Sequence, residues 1–194
     1  MSTAITTLRT AVFPRSTVLT KAGFVIAGVA FLSLLAQIAI PVPGSPVPVT
    51  GQTLGVLLLA TSYGATLGAT TFLMYLLVGA MGARVFANGG SGLDRIVGAT
   101  GGYLVGMLLT SALLGYLGGR KWDQKFRTAL PAMLLGNALT FTLGLIWLHQ
   151  FTGKDWAWTF SAGFTPFILG EILKIAIAGT SLPLIWQFVQ RKIS

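Results

Sequence analysis

The sequence is poor in charged residues and contains no cysteine. Only 9% of its 194 residues are charged and four are acidic, whereas about 25% of the residues of an ordinary soluble domain are charged. Without cysteine the chain forms no disulfide and no cysteine-ligated metal site. No Gly-x-x-x-x-Gly-Lys-Ser/Thr motif is present, which excludes ATP binding through a P-loop. No nucleophile–base pair or metal cluster is visible either, so we expect no catalysis, no metal and no cofactor.

Long apolar runs rich in glycine make up most of the sequence. Hydrophobic residues account for 54% of the chain, which also has 25 glycines. Runs of roughly 20 apolar residues cross a bilayer as helices, and glycine lets such helices pack closely. We therefore predict an all-α integral membrane protein with six transmembrane helices. It consists of a short N-terminal arm over residues 1–21 and one membrane domain over residues 22–190.

Interruptions in the apolar pattern set the predicted helix boundaries. Pro41 ends the first helix, because proline disfavours a helical conformation in the residue before it. The apolar run over 50–82 is too long for one crossing at about 1.5 Å per residue, so we divide it at Ser62-Tyr63-Gly64. A re-entrant segment is the alternative for the first of those two helices. The six predicted helices cover residues 22–40, 52–62, 65–82, 96–117, 130–148 and 164–188.

Three irregular loops fall on one predicted side of the membrane. The segment 41–48 has four prolines and no charge, so we expect it to fold back against the protein as a cap. The loop over 84–95 is rich in glycine, and the loop over 149–158 ends in two tryptophans, which suit a membrane interface. Irregular loops on a rigid scaffold commonly carry binding sites, which predicts a pocket on this side.

The distribution of lysine and arginine predicts the orientation. With both termini cytoplasmic, nine of these residues lie on the cytoplasmic side and three lie outside, while Lys174 falls within the sixth helix. Cytoplasmic loops carry an excess of Lys and Arg, so the pocket is predicted to open to the extracellular side. We interpret the net charge of +9 as contact with anionic membrane lipid rather than nucleic-acid binding.

Glu171 and Lys174 are the strongest candidates for ligand binding. A spacing of three residues places them on one helical face. Each charged residue costs about 2.5–3.5 kcal/mol at the centre of an inserted helix, so intramembrane charges are usually functional. We predict a clamp in which Lys174 contacts a carboxylate and Glu171 accepts hydrogen bonds from N–H donors. The alternative is an ion pair that only holds the helices together.

Four further polar residues are candidates for the same pocket. Asn88 lies among glycines, which let the backbone approach a ligand, although the segment can also serve as a connector. Arg95 either anchors to lipid headgroups or draws in an anionic solute. Thr50 and Gln52 follow the proline-rich segment at a helix start, where an N-cap role for Thr50 is the alternative to ligand contact.

Other residues have predicted structural roles. Gly23 and Ala27, four residues apart in the first helix, would let a partner helix approach closely, whereas similar pairs elsewhere serve the internal bundle. Asn137 is expected to form an interhelical hydrogen bond. His149, the one histidine, is expected at the surface rather than in a metal site.

Three segments of the sequence carry recognisable motifs: IPVPGSPVPVTGQTL over 40–54, GATGGYLVG over 98–106 and FTPFILGEILK over 164–174. They resemble motifs of the BioY family, the biotin-binding membrane components (S components) of energy-coupling factor (ECF) transporters. The resemblance implies six helices with an outward-facing pocket, a location in the bacterial cytoplasmic membrane and high-affinity biotin binding. It also adds Tyr103, in the second motif, to the candidate site. Biotin has a carboxylate and a ureido ring, which suit a lysine and an acidic residue.

The resemblance also implies partners and leaves rival functions open. Partner subunits, a transmembrane coupling protein and two ATPases, would drive transport, with Gly23 and Ala27 as the docking face. The chain departs from the family pattern at Glu171, where Asp is usual, and at Arg84 and Ala99, where Pro is usual; these changes bear on fine specificity. The alternatives are an S component for another vitamin, such as thiamine or riboflavin, a stand-alone secondary transporter or channel, and a purely structural membrane subunit.

Overall fold

The computed structural model describes residues 7–15 and 17–193, which are almost entirely helical. This confirms the all-α prediction. A hairpin of two short strands, β1 (Ala39–Ile40) and β2 (Val49–Thr50), brackets the proline-rich segment. The α-helices are α1 (Leu8–Val12), α2 (Val18–Gln37), α3 (Gln52–Tyr63), α4 (Ala65–Ala80), α5 (Leu93–Val97), α6 (Gly101–Gly119), α7 (Phe126–Thr152), α8 (Trp156–Gly163) and α9 (Ile168–Ile193).

Several long apolar helices identify a multi-pass membrane protein. In the described part of the chain, four segments are long and apolar enough to cross a bilayer: Val18–Gln37, Gly101–Gly119, Phe126–Thr152 and Trp156–Arg191. The apolar helix α4 is shorter, at 16 residues, and α3 has 12. At about 1.5 Å per residue α3 is about 18 Å long, less than the ~30 Å hydrocarbon core. Six crossings therefore remain a prediction.

The helix break inside the 50–82 run lies where the sequence predicted it. Gly64 separates α3 from α4 with φ +88, a backbone conformation that glycine adopts without strain. The first long helix, in contrast, was predicted to reach residue 40 and ends at Gln37. Ala39 and Ile40 instead pair with Thr50 and Val49 in the hairpin, because strand pairing satisfies their backbone groups beside Pro41.

Two predicted loops contain helices. The tryptophan-rich loop is helical from Trp156, with Asp155 as the N-cap residue accepting a hydrogen bond from the backbone N–H of Trp158 at 2.7 Å. The glycine-rich loop contains α5, so the next long helix begins at Gly101 rather than at 96. The Asp155 cap stabilises the short helix α8, which apolar periodicity does not reveal.

Helix α3 lies inside the bundle, with eight of its twelve residues buried. Small residues allow the close contacts around it and between its neighbours, as predicted. A Cβ atom at Gly68 would lie 3.0 Å from Cα of Ala60, and one at Gly106 would lie 2.8 Å from Cα of Thr140. In contrast, a Cβ at Gly23 would have no neighbour within 4 Å, so this part of α2 faces outward.

The turn between α6 and α7 holds a buried carboxylate. Asp123 is 1% exposed and its Oδ2 accepts a hydrogen bond from Nε1 of Trp186 on α9 at 2.5 Å, while Oδ1 has no hydrogen-bond partner among the described residues. Burial raises the pKa of Asp123 to about 6, although the Trp186 hydrogen bond opposes the shift. The hydrogen bond from Trp186 thus links α9 to this turn through the Asp123 carboxyl group, whose pKa is about 6.

Candidate functional site

A cavity of about 130 Å³ lies at the end of the bundle where the proline-rich and glycine-rich loops meet. Its walls come from these two loops and from α3, α6, α7 and α9. Its polar lining consists of Thr50, Gln52, Thr53, Asn88, Arg95, Thr100 and Glu171. Its larger apolar side chains are Val47, Phe86, Tyr103, Leu104, Met107, Phe141 and Phe167.

The proline-rich segment covers this cavity. Val47 is 4% exposed, and Ser45 fixes it by accepting a hydrogen bond from the Val47 N–H at 3.0 Å and donating one to the Val47 carbonyl at 3.2 Å. Pro46 and Pro48 line the cavity on either side. The prediction that this uncharged loop folds back as a cap is confirmed.

Glu171 is buried at the inner end of the cavity and is held by three helices. Its Oε1 accepts hydrogen bonds from Thr53 Oγ1 on α3 at 2.9 Å and from Lys174 Nζ at 2.6 Å. Its Oε2 accepts one from Asn137 Nδ2 on α7 at 2.9 Å, which confirms the predicted interhelical role of Asn137. Charge-assisted bonds of this kind are stronger than neutral ones, so the carboxylate is fixed in one orientation.

Lys174 lies behind Glu171 and is not among the residues that line the cavity. Its ammonium donates to the Thr50 carbonyl at 2.5 Å, to Thr53 Oγ1 at 2.9 Å and to Glu171 Oε1 at 2.6 Å. A lysine ammonium has three donors, so all three are occupied within the protein. The predicted pair therefore forms, but its two members face different surroundings.

Gln52 connects the cavity floor to the glycine-rich loop. Its Nε2 donates to the Tyr75 hydroxyl at 2.9 Å, and that hydroxyl donates to the Val85 carbonyl at 3.0 Å. The Gln52 Oε1 accepts from Thr50 Oγ1 at 3.0 Å. The N-cap position of α3 is Gly51 rather than Thr50. Thr50 Oγ1 nevertheless accepts a hydrogen bond from the Gln52 N–H at 3.3 Å, so Thr50 both satisfies a donor at the helix start and orients the Gln52 side chain.

Asn88 and Arg95 form the exposed, polar side of the cavity. Asn88 has the left-handed conformation (φ 56, ψ 35), which Asn adopts more readily than most residues. Arg95 forms no ion pair with any described residue. Arg84, one of the departures from the family pattern, is exposed and does not line the cavity.

Gln37 at the end of α2 fixes the loop that carries Asn88. Its Oε1 accepts a hydrogen bond from the Gly89 N–H at 3.0 Å, and its Nε2 donates to the Phe86 carbonyl at 3.2 Å. The sequence analysis did not single out Gln37, since a lone amide at a helix end belongs to no pattern. It also missed Thr53, although Thr53 stands directly beside the candidate Gln52.

Aromatic rings from α6, α7 and the turn before α9 line the same cavity. Tyr103 lies nearly parallel to Phe167 at a centroid distance of 6.3 Å, and Phe141 meets Tyr103 edge-on at 5.7 Å. The Tyr103 hydroxyl donates to the Gly163 carbonyl at 2.7 Å, which leaves the ring as the part of Tyr103 available to a ligand. The lining thus combines buried and exposed polar groups with an apolar surface, which suits a ligand that has both polar and apolar parts.

His149 does not take part in this site. Its ring stacks on Trp156 at a centroid distance of 4.1 Å, and the residue is half-buried. The expected surface position is therefore only partly right, because Nδ1 of His149 is buried and has no hydrogen-bond partner among the described residues.

Several known proteins are similar to this chain in sequence and in architecture. The chain is 37% identical over 158 residues to the biotin transporter BioY2 of Lactococcus lactis, covering 80% of this chain and 85% of that protein. It is 35% identical over 139 residues to the biotin transporter BioY of Thermotoga maritima, covering 72% and 80% of the two chains. A crystal structure of the S component for biotin from an ECF-type ABC transporter superposes with a TM-score of 0.79 at 23% identity, covering 89% of this chain and 95% of that one.

The matches cover enough of the chain to assign it to a family. The BioY family profile covers residues 6–191, which include all three motifs found in the sequence and every residue that lines the cavity. The solved structure shares the arrangement of helices. By these matches, the chain belongs to the BioY family.

Proposed function

We propose that this chain binds biotin in the cavity and mediates its uptake as the S component of an ECF transporter. The observation that carries the proposal is that one cavity is lined by a buried carboxylate, Glu171, by aromatic rings and by an exposed cation, Arg95, which has no ion-pair partner among the described residues. Biotin matches this arrangement, because its ureido N–H groups, apolar rings and chain, and carboxylate follow one another along the molecule. The relatives named biotin transporters support the same assignment. This role is transport rather than catalysis.

The geometry favours one orientation of biotin. Glu171 at the inner end accepts hydrogen bonds from the ureido N–H groups, and Gln52 has one amide N–H beyond the one given to Tyr75 for the ureido oxygen. Arg95 and Asn88 at the exposed end receive the carboxylate, since a guanidinium binds carboxylates in a fork geometry. The Tyr103 ring contacts the apolar middle.

Lys174 acts through Glu171 in this arrangement. Its ammonium neutralises the buried carboxylate, and it reaches the ligand only by releasing one of its three present acceptors. The sequence-based proposal of direct contact between Lys174 and a carboxylate is therefore less well supported than a contact with Arg95. Thr50 has a similar indirect role through Gln52.

The proposed topology has six crossings, with both termini in the cytoplasm and the cavity open to the outside of the cytoplasmic membrane. The nine cations assigned to the cytoplasmic side support it, because those near the start of α2 and the end of α6 lie at the far end of the bundle from the cavity. This is the arrangement expected when positive loops remain inside.

The proposed partners are a transmembrane coupling protein and two ATPases. The exposure of α2 supports a docking role. Only 11% of its apolar span is buried inside the protein, against 33% to 67% for the other three long apolar segments. Gly23 and Ala27 are both exposed on it, and small residues let a second helix approach closely.

Uptake by proteoliposomes tests this function against its alternatives. We expect the purified chain to bind biotin and not thiamine or riboflavin, and to accumulate biotin only when the coupling protein, the ATPases and ATP are present. Accumulation by the chain alone would identify a stand-alone transporter. Binding of another vitamin instead of biotin would assign the cavity to a different substrate.

A further inference from the structure

A second, larger groove lies at the other end of the bundle from the cavity. Its volume is about 1290 Å³, and it is bounded by α1, the start of α2, the α3–α4 junction and the end of α6. Tyr103 lines the cavity near the start of α6, whereas Arg120, the C-cap residue of the same helix, lines the groove. The length of α6 therefore separates the two sites.

The polar side of this groove is positively charged. Arg9, Lys21, Arg120 and Lys121 line it, and no acidic residue does. The Arg120 guanidinium lies 4.6 Å from the centre of the Tyr116 ring, which also lines the groove. In the described part of the chain, Nε of Arg9 is buried without a hydrogen-bond partner. Leaving a charged group unpaired in this way lowers the stability of the folded chain.

No acidic side chain among the described residues pairs with these cations. Of the four acidic residues, Glu171 pairs with Lys174 and Asp123 accepts from Trp186. Asp155 caps α8, and Asp94 lies in the first turn of α5. Among residues 7–15 and 17–193, the groove cations thus have no ion-pair partner, and an anion from outside the chain would supply one.

The other side of the groove is apolar and exposed on the outside of the bundle. Val18, 85% exposed, lines it together with Val25 on the same helix and Leu67 on α4. A small inorganic anion would leave this apolar surface uncovered. A membrane lipid satisfies both sides, because its headgroup is charged and its chain is apolar.

We infer that the groove binds an anionic glycerophospholipid. Its phosphate contacts Arg9, Lys21, Arg120 and Lys121, and an acyl chain lies along α2 and α4 beside Val18 and Leu67. General attraction to a charged membrane surface depends on the total number of cations in the protein. Binding in this groove depends instead on the four cations that line it. The inference does not depend on the identity of the transported solute.

Lipid titration by native mass spectrometry tests this site. The purified chain would be titrated with phosphatidylglycerol, with phosphatidylcholine and with sodium phosphate as competitor. The groove variant is Lys21→Gln/Arg120→Gln. The matched control is Lys125→Gln/Arg127→Gln, which removes two exposed cations that do not line the groove. Each cation strengthens binding to an anionic lipid surface by about fivefold, so the groove variant is expected to bind phosphatidylglycerol about 25-fold more weakly.

The outcomes separate a lipid site from its alternatives. The inference requires that the control keeps its affinity for phosphatidylglycerol, that phosphatidylcholine binds poorly, and that millimolar phosphate does not displace the lipid. Equal losses in both variants would overturn it in favour of general electrostatic attraction. Displacement by phosphate alone would overturn it in favour of a soluble-anion site. Thermal unfolding in neutral detergent verifies that both variants are folded.

Discussion

Asn137 on α7 donates a hydrogen bond from Nδ2 to Oε2 of Glu171 on α9, at 2.9 Å, while its own Oδ1 is buried without a partner among the described residues. An amide flip would place an acceptor against the carboxylate, so the contact fixes the orientation of Asn137. The bond joins two helices at the inner end of the cavity and positions the group that we expect to receive biotin.

Replacing Asn137 by Ala tests whether this bond positions Glu171. The variant removes one of the three donors to the carboxylate, and losing a hydrogen bond to a buried charged group costs about 1–3 kcal/mol. We expect biotin affinity to fall about tenfold and the thermal midpoint to decrease. The matched control is Thr140→Ala, because Thr140 on the same helix is buried and hydrogen-bonded to Thr110 away from the cavity. Equal biotin affinities for the two variants would contradict a positioning role.

Glu171 itself is tested by changing its charge and its length separately. Glu171→Gln removes the negative charge, replaces one acceptor oxygen by an N–H donor and leaves Lys174 without its ion-pair partner. Breaking a buried ion pair in this way destabilises a protein by about 3–5 kcal/mol. We expect biotin binding to fall at least 100-fold. Glu171→Asp keeps the charge and should retain most of the affinity. Calorimetry on both variants measures this difference, and comparable losses would show that charge is not the deciding property.

Gln37 offers a test of how the glycine-rich loop closes the cavity. Gln37→Ala removes the hydrogen bonds to Gly89 and Phe86, so the loop that carries Asn88 should open more often. We expect biotin to dissociate several-fold faster with a smaller change in its association rate. Stopped-flow chase with unlabelled biotin measures both rates. An unchanged dissociation rate would mean that the loop does not limit release.

Asp123 predicts a dependence of stability on pH. Its folded-state pKa of about 6 exceeds the ordinary value of 3.8, so the folded chain holds the proton more tightly than the unfolded chain. The stabilisation is complete below pH 3.8 and is lost as the pH rises through 6. The loss amounts to about 3 kcal/mol. Asp123→Asn should flatten this part of the curve and be more stable than the native chain at pH 7.

Thermal unfolding between pH 4 and pH 7.5 measures this effect. Asp155→Asn is the control, because Asp155 is exposed and its carboxylate only caps α8. If the native chain and Asp123→Asn lose stability in parallel over this range, another group is responsible.

The sequence was sufficient for features that depend on composition and on local chain geometry. Apolar runs identified the long helices, and Gly64 lies at the predicted break because only a residue without a side chain adopts its φ of +88 at little cost. The absence of charge in the proline-rich segment correctly indicated a packed cap. Asn137 was correctly expected to bond between helices, since an amide in an apolar helix needs a partner.

Features that depend on three-dimensional contacts were not accessible from the sequence. The spacing of Glu171 and Lys174 predicted that they share a helical face, but not that the Lys174 ammonium donates hydrogen bonds to Thr50 of β2 and Thr53 of α3. Gln37 lies 52 residues from its partner Gly89, a separation that no local pattern covers. The helix after Asp155 was missed because eight residues are too few for apolar periodicity to be recognised.

The central claim is that Arg95 binds the carboxylate of biotin while the ureido ring lies against Glu171. Titration calorimetry of biotin and of biotinamide, which lacks the charged carboxylate, on the native chain and on Arg95→Gln tests it most directly. Arg84→Gln, an exposed arginine outside the cavity, is the control. We predict that the native chain prefers biotin to biotinamide by at least tenfold and that Arg95→Gln alone abolishes this preference. A native chain that binds both ligands equally, or an Arg95→Gln variant that keeps the full preference, would contradict the claim.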